Sequence, residues 1–165
     1  MVEENLIIAI NNCDKIDQFA FQFRFLSNFY EAPEFDFSIE YEGLTYKNIE
    51  AAYQAQKTND RTIKERFTEM NGHKAKKLGK KIEKGDEHSY FRKDWNDETK
   101  LKVMYDLLKI KFRNKNLKEM LLATGDKEII EGNSWGDIFW GVCDGIGENH
   151  LGKLLMKVRE ELKKE

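Results

Sequence analysis

The chain is poor in the residues that announce the commoner chemistries. Its 165 residues include two cysteines, Cys13 and Cys143, far apart and without a C-x-x-C pattern. That excludes a disulfide framework and a cysteine-based zinc site, so both thiols are expected reduced and structural. The three histidines, His73, His88 and His150, are scattered and lack an H-E-x-x-H arrangement, so no metal is expected. The chain has no Walker A loop, and Gly145-x-Gly147 does not extend to G-x-G-x-x-G. Ser27, Ser38, Ser89 and Ser134 lack the G-x-S-x-G elbow of a serine hydrolase. No cofactor is expected. The amino-terminal segment opens with acids and has five consecutive apolar residues, Leu6 to Ile10, too few for a signal or a span. A soluble, cytoplasmic protein without membrane contact is the expectation. No repeat, low-complexity tract or linker interrupts the sequence, which predicts one domain over 1–165, with the first ~18 residues as an extra strand.

What the chain does have is uneven. Six of its eleven glycines and two of its three tryptophans fall between Glu131 and Gly152. Glycine inside a helix or strand costs about 0.5–1 kcal/mol relative to alanine, so this density predicts positive φ or close approach to something. Asn133, Asp137, Asp144, Glu148, Asn149 and His150 sit among the aromatic faces, the composition of a site loop. Charge is uneven as well. Lys57 to Lys84 holds ten basic and four acidic residues, a net of +6, leaving −8 to the rest. Such a block reads first as a solvated helical face and second as an anion or nucleic-acid surface.

Periodicity places the elements. Phe19 to Tyr46 alternates aromatic and polar residues around Pro33, which predicts short strands turning at Glu31 to Glu34. Asn48 is an N-cap for a helix that buries Ile49, Ala52 and Tyr53, and Glu50, Gln54 and Lys57 share a polar stripe on it. In the first turn, Glu50 also satisfies the helix dipole. Further helices are expected near Arg61–Met70 and over Gly72–Lys84, the latter with Ala75, Leu78 and Ile82 inside. Others are expected over Asp97–Phe112 with Asn96 or Asp97 as cap, Leu117–Ala123, and Leu151–Leu162. Lys111 falls on the apolar side of the Asp97–Phe112 helix, where spacing favours its snorkelling to water over its being held for use. The fold class is α+β, predominantly α-helical, with a few short strands near the N-terminus. The remaining inventory, carboxylates with a lysine or two and three tryptophans, suits cleavage of a glycosidic bond.

The strings FLSNFY (25–30), IEAAYQAQK (49–57), KF (111–112), WGDIFWG (135–141) and GENHLGKLLMKVR (147–159) resemble, in order, the NADAR family. The likeness spans roughly Phe23 to Leu162. It implies an N-glycosidase acting on early riboflavin-pathway intermediates, the ribosylamino-pyrimidine phosphates, or removing ADP-ribose from guanine in modified nucleic acid. The expected partner is therefore a phosphorylated ribosyl or ADP-ribosyl substrate, with nucleic acid entering as modified substrate. By the same resemblance Glu50, Lys111 and Asp137 are the catalytic candidates. Trp95, Trp135 and Trp140 match aromatic positions of a base or sugar clamp, and Arg24, Asn28, Lys57 and Asn149 are candidates for phosphate and ribose contacts. In one departure, Ala51 stands where the family commonly has histidine. Two non-enzymatic readings accompany these: an ADP-ribose or nucleotide-binding module, and a nucleic-acid-binding domain using Lys57 to Lys84.

Overall fold

A computed structural model describes residues 2–165; Met1, the first residue of the expected extra strand, lies outside it. In chain order the elements are α1 (Glu4–Asn11), β1 (Lys15–Ile16), β2 (Ile39–Tyr41), β3 (Leu44–Tyr46), α2 (Ile49–Ala55), α3 (Arg61–Glu65) and α4 (Gly72–Lys84). There follow α5 (Asp97–Lys111), α6 (Lys115–Ala123), β4 (Glu128–Ile129), β5 (Gly132–Asn133), β6 (Val142–Cys143) and α7 (His150–Lys163). Three short 3₁₀ turns lie at Phe21–Leu26, Pro33–Phe35 and His88–Tyr90. The class is α+β with helix predominant. The strands are not confined to the N-terminal part, because β4, β5 and β6 fall in the last third of the chain. The chain divides into two compact units, Asn28–Lys111 and the pair Met1–Ser27 with Phe112–Glu165.

The Asn28–Lys111 unit is built around α2, every residue of which is buried. Asn48 caps it as the sequence predicts, its Oδ1 accepting from Ala51 N at 2.8 Å, while its Nδ2 donates to Glu31 and to the Met70 carbonyl. Ala51, Ala52 and Ala55 keep the helix thin, and α4 and α5 pack against it. The apolar face of α4 is Ala75, Leu78 and Ile82, as expected. Asn96 caps α5, its Oδ1 accepting from Thr99 N at 2.9 Å. The β2–β3 pair is antiparallel, in the register Ile39 to Tyr46, and turns through Glu42 and Gly43, both at positive φ. The turn expected at Glu31 to Glu34 is instead a 3₁₀ turn at Pro33–Phe35.

In the other unit, the strand expected from Phe19 is overturned. Phe21–Leu26 is 3₁₀, closing its bonds locally through Phe23 N to Ala20 O and Ser27 N to Arg24 O, each 3.0 Å. Phe25 and Leu26 are both buried, a pair of neighbours on one side that no alternating strand produces. The expected extra strand at the N-terminus is a two-residue segment, β1, paired in parallel with β4 and preceded by the helix α1. The predicted helices α6 and α7 form, with Gly125 at φ +63 just beyond the end of α6.

Candidate active site

In the Asn28–Lys111 unit the candidates gather on α2 and the segments that pack on it. The Glu50 amide donates to the Asn28 carbonyl at 2.9 Å, and Glu50 Oε1 accepts from Gln54 Nε2 at 2.8 Å one turn on. Both side chains are buried. Asn28 donates Nδ2 to Met104 Sδ on α5, and its Oδ1 is buried without a hydrogen-bond partner among the described residues. Trp95 lies against Tyr53 of α2 with ring centroids 5.4 Å apart, and the Arg92 guanidinium sits 5.9 Å from its ring. The Trp95 Nε1 is likewise buried and without a partner.

Lys57 follows α2 and is buried. Its ammonium is held by Glu83 Oε2 at 2.6 Å, so the cation considered for phosphate is already engaged. Burial pulls the Lys57 amine below its ordinary range, against the upward pull of Glu83 and, more weakly, Glu50. Burial raises Glu83, but the bond and charge of Lys57 more than offset it, and its carboxyl lies below the usual range.

Lys111 corrects the expectation of snorkelling: it is 1% exposed. Its Nζ lies 5.6 Å from the centre of the Tyr30 ring. Burial pushes its pKa down from 10.5 to about 7. The C-terminal end of a helix favours a cation, and here desolvation outweighs it. An amine that is neutral in half its molecules near pH 7 is a nucleophile, which an exposed lysine is not.

The glycine-rich segment lies in the other unit. There β5 and β6 pair in parallel, Gly132 to Val142 and Asn133 to Cys143. Asn133 wires the loop between them, donating Nδ2 to the Asp137 carbonyl at 2.8 Å and accepting from Asp137 N at 3.0 Å. Asp137 Oδ1 accepts from Phe139 N at 3.2 Å and Trp140 N at 2.9 Å, so one carboxylate oxygen holds the turn. Trp140 meets Phe139 edge-on at 4.9 Å, while Trp135 is 63% exposed. Both amide atoms of Asn149 serve backbone: Oδ1 accepts from Glu131 N and Nδ2 donates to the Ile129 carbonyl. Arg24 is exposed in the 3₁₀ turn.

At Gly141 the close approach that the glycine density predicts is made within the chain. A Cβ there would stand 2.0 Å from the Glu131 carbonyl oxygen, so the close approach is to the chain itself. The amides entering α7 are also taken: Glu148, His150 and Leu151 donate to the carbonyls of Ile138, Phe139 and Trp140.

The sequence reading named Asn133 without its role and missed Gly79 and Glu83. Asn133 was visible as a polar residue between glycines, but its bonds to Asp137 were not. Gly79 and Glu83 lie on α4 beside its apolar face, and Glu83 is the lone acid in a lysine-rich helix. That isolation was the available signal. Among the described residues no group of three or more His, Cys, Asp or Glu stands where it would hold a metal ion. No helix among them is long and apolar enough to cross a membrane.

Comparison with known proteins supplies the context for this geometry. A riboflavin biosynthesis protein of Vibrio vulnificus is 38% identical over 141 residues, covering 84% of this chain and 35% of that protein. The chain thus spans about a third of that relative's length. N-glycosidase YbiA of Escherichia coli is 33% identical over 127 residues, 75% of each chain. The NMR structure of E. coli YbiA matches with a TM-score of 0.74 at 30% identity, over 92% of this chain and 86% of that one. The family model of the NADAR domain matches residues 17–163, and the chain belongs to the NADAR family.

Proposed function

We propose that the chain is a hydrolase of N-glycosyl bonds, cleaving ribose from a nitrogen base with Lys111 as nucleophile and Glu50 as proton carrier. The observation that carries the reading is the buried amine of Lys111, lowered to about 7 at the end of α5. The names of the relatives, N-glycosidase and riboflavin biosynthesis protein, favour ribosylamino-pyrimidine phosphates as substrate.

A ribosylamine opens to an imine at C1. The neutral amine of Lys111 adds to C1, and Glu50 takes the protons that the lysine nitrogen sheds and passes them to the base nitrogen, so that the bond from C1 to the base breaks as the lysine imine forms. Water then adds to the lysine imine, returning the amine and releasing the sugar phosphate. One water is consumed, and no other reactant is needed. Asp137 keeps one oxygen on the backbone of its own loop, which ties it to that frame more than to a proton shuttle. Trp95, beside Tyr53 of α2, supplies an aromatic face for a base.

A second substrate reading, ADP-ribosylated guanine in nucleic acid, draws support from α4, where Lys74, Lys76, Lys77, Lys80, Lys81 and Lys84 are all exposed. Incubation with ribosylamino-pyrimidine phosphates and, separately, with guanine-ADP-ribosylated DNA tests both. Release of free pyrimidine from the first is expected. Binding of either without release of base or ADP-ribose would instead make the protein a nucleotide-binding module.

A further inference from the structure

The 3₁₀ turn that follows β1 holds an aromatic ring out in water. Phe21 is 87% exposed, the most exposed large apolar side chain among the described residues. Its backbone has φ +53, in the left-handed region that a bulky residue rarely enters. The turn that starts this way leaves Phe21 outside and buries Phe25 and Leu26. Glycine or asparagine adopts such a φ more readily, so local geometry alone does not ask for a phenyl ring here.

Beside the ring is a cavity of about 300 Å³, lined among others by Ala9 and Cys13 of α1, by Lys15 and Asp17 at β1, and by Phe21 and Phe23 of the turn. About half that volume accepts a benzene ring when opened in a protein core, so there is room for a phenyl group. Lys15 and Asp17 flank the buried Ile16, and strand alternation puts their ammonium and carboxylate on one exposed side. Ring, hollow, cation and anion all fall between Ala9 and Phe23. A patch that carries both a projection and a hollow to receive it, and both signs of charge, is complementary to itself. That is what a two-fold contact between identical chains requires.

We infer that this face pairs with the same face of a second copy of the chain. Across the two-fold axis Phe21 of each copy enters the cavity of the other, and Lys15 of each meets the other's Asp17. A foreign partner would have to bring both a hollow for Phe21 and a group for the cavity, whereas a second copy already has both. The ring is the anchor, because an aromatic side chain desolvated in a pocket contributes more to binding than the polar contacts at its rim. The inference does not depend on the glycosidase reading.

Analytical ultracentrifugation of the full chain tests it. Wild type should pass from monomer to dimer as its concentration rises. Phe21→Asn, whose side chain suits the left-handed backbone, should weaken the dimer at least about tenfold, with no loss of melting temperature where both proteins are monomeric. Asp17→Lys and Lys15→Glu should each weaken it as well, by setting like charges opposite each other. Lys15 also stands across from Glu128 of β4, so its reversal disturbs that pair too, and mixing separates the two effects. In an equal mixture, with one variant carrying a fluorophore, the two should pair within about threefold of the wild-type affinity, because each cation again faces an acid. Such a rescue requires two copies face to face and shows that both variants are folded. Wild type that stays monomeric up to about 1 mM overturns the inference and leaves the face to a foreign protein or a small apolar ligand. A dimer that Phe21→Asn leaves unchanged, or charge variants that do not rescue each other, overturn it too, since the copies would then meet elsewhere.

Discussion

Asp137 accepts a 2.9 Å hydrogen bond from the backbone amide of Trp140, three residues ahead. The carboxylate is therefore part of the loop's own frame before it is anything else. Asparagine offers the same acceptor oxygen without the charge. Asp137→Asn is expected to keep the wild-type melting temperature, whereas Asp137→Ala loses about 1–2 kcal/mol by orphaning two amides. If Asp137→Asn also loses turnover, measured as base release, the charge of Asp137 is used on substrate.

Lys111 sets a stability that depends on pH in an unusual direction. Its folded pKa lies near 7 and its unfolded one near 10.5, so between those values the unfolded chain binds the extra proton. Its contribution to stability therefore rises with pH through that window and is least favourable below about pH 7. Lys111→Met removes the penalty. Urea unfolding should show the variant more stable than wild type at pH 6, by on the order of 4 kcal/mol, with the difference shrinking towards pH 10.5. A difference constant across that range would show that the amine of Lys111 is not lowered in the folded chain.

The same residue gives a chemical signature. Borohydride added during turnover should reduce the lysine imine to a stable secondary amine, seen by mass spectrometry as a sugar adduct on the Lys111 peptide. Lys111→Ala should give no adduct. Lys111→Arg separates the roles, because an arginine keeps a cation but cannot form the imine; activity retained there assigns Lys111 to charge neutralisation.

Gly141→Ala tests the loop's internal packing. Its Cβ meets the Glu131 carbonyl oxygen, Glu131 Cγ and Asn133 Nδ2, none of them the far end of a long flexible chain. The strands β5 and β6 must part to admit it, at a cost of about 2 kcal/mol or more in thermal or urea unfolding. Gly136→Ala has open space around it, and its cost comes from the positive φ of +84 alone. The first variant should be the less stable of the two.

Two helices were legible through a cap as well as a face, α2 through Asn48 and α5 through Asn96, each of which accepts the amide three residues on. By contrast, α4 was legible through Ala75, Leu78 and Ile82 alone, and its cap, Asn71, was not foreseen. The Phe19 to Leu26 segment misled because alternation of aromatics predicts a strand only if a partner strand is there to pair with it. Its hydrogen bonds close on themselves instead. Glu50 and Lys111 became candidates through the family resemblance, and the depth of Lys111 was not legible at all: spacing fixes the side of a helix, whereas burial depends on what packs over it. Gly79 and Glu83 were hidden for the same reason, since their meaning lies across the α2–α4 contact.

The amides that enter α7 find their acceptors in the carbonyls of Ile138 to Trp140. Loop and helix are thus a single cooperative unit, and neither melts without exposing the other's backbone to water. Amide exchange at His150 and Leu151 should therefore slow and quicken together with exchange at Asp137 and Trp140. A substrate that settles on the tryptophan loop would be felt, as added protection, at the start of the last helix.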